Sequence, residues 1–274
     1  MIRLVVAGAA GRMGQCVVEL ASHDPRFEIA VVIDLGTQQP VPVCDALIDF
    51  TDSAGTMQWL EMCEARRIPM VIGATGHDEA QISRIAQVAR SIPIVKAANF
   101  SVGMQVVLNI LGRIANELGN EYDVEIVEMH HRHKIDAPSG TAKAMVEQIV
   151  AARSIRTPSA SDGPGVDSLV GARGSDSTPV VFGRHGQVGE RPKGEIGVHA
   201  IRMGEVVGQH EIHFSGPGET ITIRHTAHSR ETFAAGALRA AAWIIGKPPG
   251  LYSMSNVLGP DGAICHGMLE LLDG

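Results

Sequence analysis

The densest chemistry in this sequence lies within Glu128–Thr141. There His130, His131, Arg132, His133 and Lys134 stand directly ahead of Ser139-Gly140-Thr141 and a predicted helix. Five potential cations before a helix N-terminus make a site for an anion. The chain carries a formal net charge of −7 and so has no general pull on anions; a local cluster must act by focusing field in one cleft. Ser139, Gly140 and Thr141 would offer backbone N–H groups and hydroxyls to a carboxylate at the helix start, with Lys134 as a point charge beside them. A histidine near this clamp can hold a second carboxylate or donate a proton near neutral pH. The ligand implied is a small polycarboxylate. Three other readings use the same residues: a solvated basic loop, a metal site through His131 and His133, or a nucleic-acid patch. No spacing announces further metal ligands, and the acidic chain with no aromatics interleaved in the run disfavours nucleic acid.

A second constellation opens the chain. An apolar run at 2–7 leads into Gly8-Ala9-Ala10-Gly11-Arg12-Met13-Gly14, followed by a predicted helix from Gln15 to Ser22 with Val17, Val18 and Ala21 inward. Glycines between a strand and a helix let the backbone approach a pyrophosphate, which the first N–H groups of the helix then face. Asp34 ends the next predicted strand, Phe27–Ile33, 20 residues beyond Gly14, where a carboxylate can accept hydrogen bonds from both ribose hydroxyls. That favours NADH. Leu35 offers no cation for a 2′-phosphate, although Arg12 in the turn could reach one. Two further turns at predicted strand ends, Gly73-Ala74-Thr75-Gly76 and Ala98-Asn99-Phe100-Ser101, are placed to meet the cofactor's ribose and nicotinamide.

These residues need a scaffold. Strands are expected at 46–50, 70–72 and 92–95, with helices around 55–66 and 78–89, which together imply a parallel, doubly wound sheet. Beyond residue 102 a helix at 106–118, a strand at 124–129 and a helix at 141–152 are expected. Residues 153–179, rich in Ser, Gly, Pro and Asp, read as a long mobile loop that could serve as a lid. Runs at 199–203, 209–214 and 220–226 read as antiparallel strands, and 231–245 as a helix stopped by Gly246-Lys247-Pro248-Pro249. The fold class expected is α/β: a Rossmann-type doubly wound parallel sheet with a second, α+β mixed-sheet domain. Residues 1–101 with 230–274 would bind the dinucleotide, and 102–229 the substrate. With 45% hydrophobic and 4% aromatic residues the chain can bury a large core of α/β type. No apolar run approaches the ~20 residues of a membrane span and no signal-peptide pattern precedes the glycine turn, so a cytoplasmic protein is expected. Cys16, Cys44, Cys63 and Cys265 are scattered without CxxC spacing, as reduced thiols would be.

Taken together, the glycine turn, Ile48-Asp49-Phe50-Thr51, Gly73-Ala74-Thr75-Gly76, Asn99-Phe100-Ser101-Val102-Gly103 and above all His130–Thr141 resemble the dihydrodipicolinate reductase family. The resemblance continues through Gly189-Glu190-Arg191, Ile196-Gly197, Arg202-x-Gly204-Glu205-Val206-Val207-Gly208-x-His210 and Ser229-Arg230-x-x-Phe233, nearly end to end. It implies reduction of a cyclic dicarboxylate by NADH or NADPH on the lysine and diaminopimelate route. By resemblance, His130 is the catalytic acid and Lys134 binds and polarises the substrate, whose carboxylates are held by His131, Ser139, Gly140 and Thr141. Gly8, Gly11, Arg12, Met13, Gly14, Asp34, Gly73, Thr75, Ala98, Asn99, Phe100, Arg230 and Phe233 are the cofactor set. A homotetramer joined through sheets of the second domain is also implied, with no metal, nucleic acid or membrane partner. Two stretches depart from the family: ten residues between Asp34 and Asp45, shorter than usual, and the longer loop 153–179. They bear on cofactor choice, lid closure and assembly. A different dehydrogenase, or a dinucleotide sensor without turnover, would share the architecture. The dehydrogenase has no evident need for a paired-carboxylate clamp, and the presence of both His130 and Lys134 argues against the sensor.

Overall fold

The computed structural model describes residues 1–34, 41–154 and 178–259. Its elements run β1 Ile2–Ala7, α1 Arg12–Ser22, β2 Phe27–Ile33, β3 Ala46–Asp49, α2 Ser53–Arg66, β4 Met70–Ile72, α3 Glu79–Val88, β5 Pro93–Lys96, α4 Val102–Leu118, β6 Asp123–His130 and α5 Gly140–Ser154. They continue with β7 Val180–Phe182, β8 Ile196–Arg202, β9 Gly208–Gly216, β10 Glu219–Ala227, α6 Glu231–Ile244, β11 Gly250–Tyr252 and α7 Met254–Leu258. The chain divides into two compact units, one made of Met1–Val106 and the chain from Ser229 onward, the other of Val107–His228.

The first unit is built on a six-stranded sheet in the order β11-β5-β4-β3-β1-β2, and every pair is parallel. Alternate residues of β1 explain why both faces must be covered. Leu4 and Val6 enter a core with Val17 of α1 and Ala237 of α6, while Val5 and Ala7 enter another with Leu60 of α2 and Ile85 of α3. A strand apolar at every position is stable only between two helical layers. The chain leaves β1 for β2 on one side and returns to β3 on the other, so the order reverses at β1/β3. Ligands bind outside the strand C-termini at such a reversal.

The second unit carries a five-stranded mixed sheet, β10-β9-β6-β8-β7. β6 is its centre, antiparallel to β9 and parallel to β8. Its burial alternates, turning Val124, Ile126, Glu128 and His130 inward. A glutamate and a histidine therefore share the register that β-periodicity reserves for apolar residues.

Several boundaries differ from the sequence expectation. α1 begins at Arg12 rather than Gln15, because Gly11 is already its extended N-cap and the last glycine-turn residues form the first helical turn. α4 begins at Val102 rather than residue 106: the Ser101 hydroxyl accepts from the Met104 N–H at 3.2 Å and caps the helix. β8 is not antiparallel to β9; both flank β6, and β8 reaches it in parallel after the crossover that contains α5. Val18 is only half-buried. The short edge strands β7 and β11 were not anticipated, being three residues each. The loop expected at 153–179 falls almost wholly outside the described residues, as do Leu35, most of the short stretch after Asp34, and Cys265.

Candidate active site

In the first unit the expected dinucleotide residues gather at the C-terminal ends of β1, β2, β4 and β5. Gly8 has φ +79°, and a Cβ there would lie 2.6 Å from the Phe50 carbonyl oxygen, so the turn after β1 presses on the backbone after β3. A Cβ on Gly14 would fall 2.1 Å from the Gly8 carbonyl oxygen, which lets only glycine bring α1 this close to the turn. Gly11 caps α1 with no side-chain acceptor and with no acidic residue in the first turn. An uncapped helix start of this kind suits a phosphate, so the residues present fit a dinucleotide. Arg12 is exposed and Met13 half-buried at the same turn. Asp34 accepts a hydrogen bond from the Ala10 N–H at 3.0 Å, fixing its carboxylate against the glycine turn.

Gly73 admits the Phe50 ring, which a Cβ would meet at 2.2 Å, and Phe50 packs edge-on against Phe100 at 5.9 Å. Thr75 and Ala98 are exposed beyond β4 and β5, while the Asn99 side chain accepts from the Ser101 N–H at 2.8 Å and shapes the loop after β5. Arg230 is the N-cap of α6, and Phe233 packs on the core beside α1. Asp49, absent from the expected set, is fully buried at the end of β3 and accepts from Thr51 Oγ1 and Thr56 Oγ1, both at 2.5 Å. Burial raises its pKa despite these donors, and its structural part is to tie the start of α2 to the sheet.

The second unit holds the basic cluster. His130 ends β6, and its Nδ1 lies 2.5 Å from Glu128 Oε2. Glu128 is inaccessible to solvent and saturated with donors. Arg202 of β8 grips it with two nitrogens, Nη1 to Oε2 at 2.8 Å and Nη2 to Oε1 at 2.7 Å, and the Ser139 N–H adds a bond to Oε1 at 3.1 Å. Burial alone would raise the Glu128 pKa, but hydrogen bonds and charge from His130 and Arg202 prevail and bring it down to about 2. Ser139 Oγ lies 3.0 Å from His210 Nε2 and accepts from the Ala142 N–H in the first turn of α5. His210 stacks edge-on with His130 at 5.1 Å; burial first, and the neighbouring His130 second, push its pKa down to about 3.

The remaining expected residues sit around this core. Lys134 Nζ donates to Asp136 at 2.7 Å and is mostly buried. Gly140 begins α5, and Thr141 is buried beside it. The His131 ring lies 6.2 Å from that of His133, which itself faces Glu205 at 3.7 Å. Among the described residues no group of three or more His, Cys, Asp or Glu could hold a metal. Sequence reasoning gave no role to Glu128, Arg202 or His210, although one signal was present: a glutamate two residues before a histidine, in the inward register of an alternating strand.

Residues 2–100 match the family described as dihydrodipicolinate reductase, N-terminus, and residues 103–258 match its C-terminus. The 4-hydroxy-tetrahydrodipicolinate reductase of Akkermansia muciniphila is 43% identical over 262 residues, covering 94% of this chain and 98% of that one. That of Anaeromyxobacter dehalogenans is 40% identical over 285 residues, with coverage of 94% and 98%. Among solved structures, the dipicolinate-bound dihydrodipicolinate reductase from Paenisporosarcina sp. TG-14 superposes with a TM-score of 0.69 at 22% identity, covering 94% of this chain and all of that one. An amine dehydrogenase from Mycobacterium smegmatis shares the fold more distantly, with a TM-score of 0.51 at 12% identity and coverage of 92% and 95%. With both halves of the sequence matched and such relatives aligned over nearly its whole length, this chain belongs to the dihydrodipicolinate reductase family.

Proposed function

We propose that the protein catalyses the NAD(P)H-dependent reduction of 4-hydroxy-tetrahydrodipicolinate to tetrahydrodipicolinate with loss of water, in lysine biosynthesis through diaminopimelate. The observation that carries the site assignment is the buried network joining His130, Glu128, Arg202 and the Ser139 N–H at the head of α5. Residues 1–101 with 230–274 are assigned to the dinucleotide, and 102–229 to substrate and assembly. NAD(P)H, when bound, supplies the hydride. The α1 start, Gly8 and Gly11 receive the pyrophosphate, Asp34 the ribose, and Gly73, Thr75 and Ala98–Phe100 the nicotinamide side. Asp34, as an anion beside the turn, repels a 2′-phosphate and favours NADH, with exposed Arg12 as the opposing influence.

The substrate's carboxylates are held by His131, by Ser139, Gly140 and Thr141 at the α5 N-terminus, and by Lys134, which exchanges Asp136 for substrate and polarises it. These fixed cations and N–H groups orient the ring and stabilise charge as it develops. Loss of the ring hydroxyl as water, together with a proton from the adjacent ring carbon, leaves a conjugated imine; hydride arriving at the carbon that carried the hydroxyl gives an enamine, which takes a proton from His130 Nε2. The protein is further proposed to be a cytoplasmic homotetramer joined through the sheet of the second unit. The partly exposed Val127, Met129 and Ile201, on the face of that sheet opposite Val124 and Ile126, support this assembly, and light scattering on the purified protein tests it. None of the described helices is long and apolar enough to cross a membrane.

The deciding experiment follows oxidation of NADH and, separately, NADPH, with substrate generated in place from pyruvate and aspartate semialdehyde by the preceding synthase. Rapid oxidation, faster with NADH, is expected. Silence with both cofactors beside a working synthase would discard the reaction.

A further inference from the structure

We propose that Glu128, clamped by Arg202, is the positioning residue for the proton donor, holding His130 through Nδ1 so that Nε2 is the nitrogen that exchanges its proton, and tying that donor to the head of the carboxylate clamp. The inference rests on the reductase reading above, with His130 as acid.

The carboxylate's four bonds come from three separate places in the chain. Oε1 accepts from Arg202 on β8 and from the Ser139 N–H; Oε2 accepts from Arg202 and faces His130 Nδ1. A carboxylate holds about four such partners, so no lone pair is left for water to compete. With a pKa of about 2, Glu128 is an acceptor only at any working pH, and the atom facing it at 2.5 Å must carry hydrogen. Neutral His130 is therefore the Nδ1–H tautomer. Its second, mobile proton belongs on Nε2, and that edge of the ring runs past Gly208, where a Cβ would lie 3.2 Å from Nε2.

In the proton transfer, the Nε2–H bond breaks as the new bond to hydrogen forms on the substrate. The ring returns to the neutral Nδ1–H form, Glu128 stays ionised, and solvent reloads Nε2. The other charged or titratable groups of this cluster are Arg202 on β8 and His210 on β9, with His225 on β10 and Lys134 acting on His210, and Asp136 acting on Arg202. His210 remains neutral above about pH 3, so it sets no second cation against the donor. Without Glu128, no carboxylate fixes hydrogen on Nδ1 or holds the ring in this orientation. Ser139 extends the same logic to geometry: because its N–H and the His130 ring share one carboxylate, acid and clamp cannot drift apart independently.

The test is a double-mutant cycle on the full-length enzyme with Glu128→Gln and His130→Gln, read as kcat, KM and NADH affinity across pH. Glu128→Gln is expected to lower kcat about 100-fold with NADH affinity unchanged and KM within about threefold. On the His130→Gln background the same change should cost less than about threefold, because Glu128 acts through His130. Multiplicative losses would overturn the inference while leaving the reductase reading intact; an inactive wild type would overturn the reading itself. Should Glu128→Gln fail to fold, 15N-histidine NMR of the wild type decides. A protonated Nδ1 on neutral His130 is expected, and an Nε2–H tautomer would refute the proposal.

Discussion

His210 makes the fold's stability depend on pH in a window that can be isolated. It is 3% exposed, its Nε2 engages Ser139 Oγ, and burial with the adjacent His130 holds its pKa at about 3 against 6.5 for the free side chain. The native state thus refuses a proton that the unfolded chain accepts. Stability is unaffected above pH ~7 and falls as pH drops below ~6.5, continuing until the native group itself titrates near 3. At pH ~5 the unfolded histidine is about 1.5 units below its pKa, which costs the native state about 2 kcal/mol relative to pH ~7.5. Glu128 adds little in this window, because its unfolded pKa lies near 4.5. His77 and His225, lowered chiefly by burial, steepen the slope of the whole protein, so the test must be a difference. His210→Gln keeps a hydrogen-bonding partner for the Ser139 hydroxyl but cannot titrate. Whatever it costs at pH ~7.5, it should be about 2 kcal/mol less destabilising at pH ~5. Trp59 and Trp243 both lie in the first unit, so tryptophan fluorescence would miss the event. Hydrogen-exchange mass spectrometry of β6 and β9 peptides across a urea titration reads the correct unit. A wild-type-to-variant difference that is the same at both pH values, within about 0.5 kcal/mol, would refute the assignment of a buried neutral His210.

Gly14→Ala places a methyl 2.1 Å from the Gly8 carbonyl oxygen, a backbone contact that no side-chain rotation relieves. It should destabilise the first unit by about 2–3 kcal/mol and weaken NADH binding at least about tenfold, as read by thermal melts and NADH fluorescence titration. An intact melt with full affinity would contradict the close packing of α1 on its turn. Lys134→Ala removes the cation now paired with Asp136 and should lower kcat/KM on the order of 100-fold, while NADH affinity stays within about twofold. A comparable loss of NADH affinity would move Lys134 out of the substrate set.

The parts of the fold that could be read from sequence were those set by local rules. The strand-turn-helix at 2–22 and the apolar runs at 46–48 and 70–72 declare themselves through glycine chemistry and through consecutive apolar residues, which only a sheet covered on both faces can use. Even the misplaced start of α4 had a local signal in Ser101, a residue type that caps helices. Partner choice was different. The alternation in 196–202 identifies a strand, yet nothing within those residues distinguishes β6 from β9 as its neighbour, because the choice depends on the crossover that contains α5.

The candidate site divides along the same line. His130–Thr141 announces an anion site because its cations and small residues are contiguous, whereas the group that organises it cannot be read as a run. Arg202 arrives from β8, His210 from β9, and Ser139 from beyond the basic loop. Each is ordinary in its own segment. What makes them a unit is Glu128, a charge placed where burial would normally forbid one, and kept ionised only because donors from distant segments converge on it. A buried charge requires those partners to be present together, so the inward-facing glutamate of β6 implied a network in the sequence before it could say which residues form it. Four bonds on one carboxylate give the His130 ring and the Ser139 N–H at the head of α5 a common anchor, so that their separation is set by the sheet rather than by the loop between them.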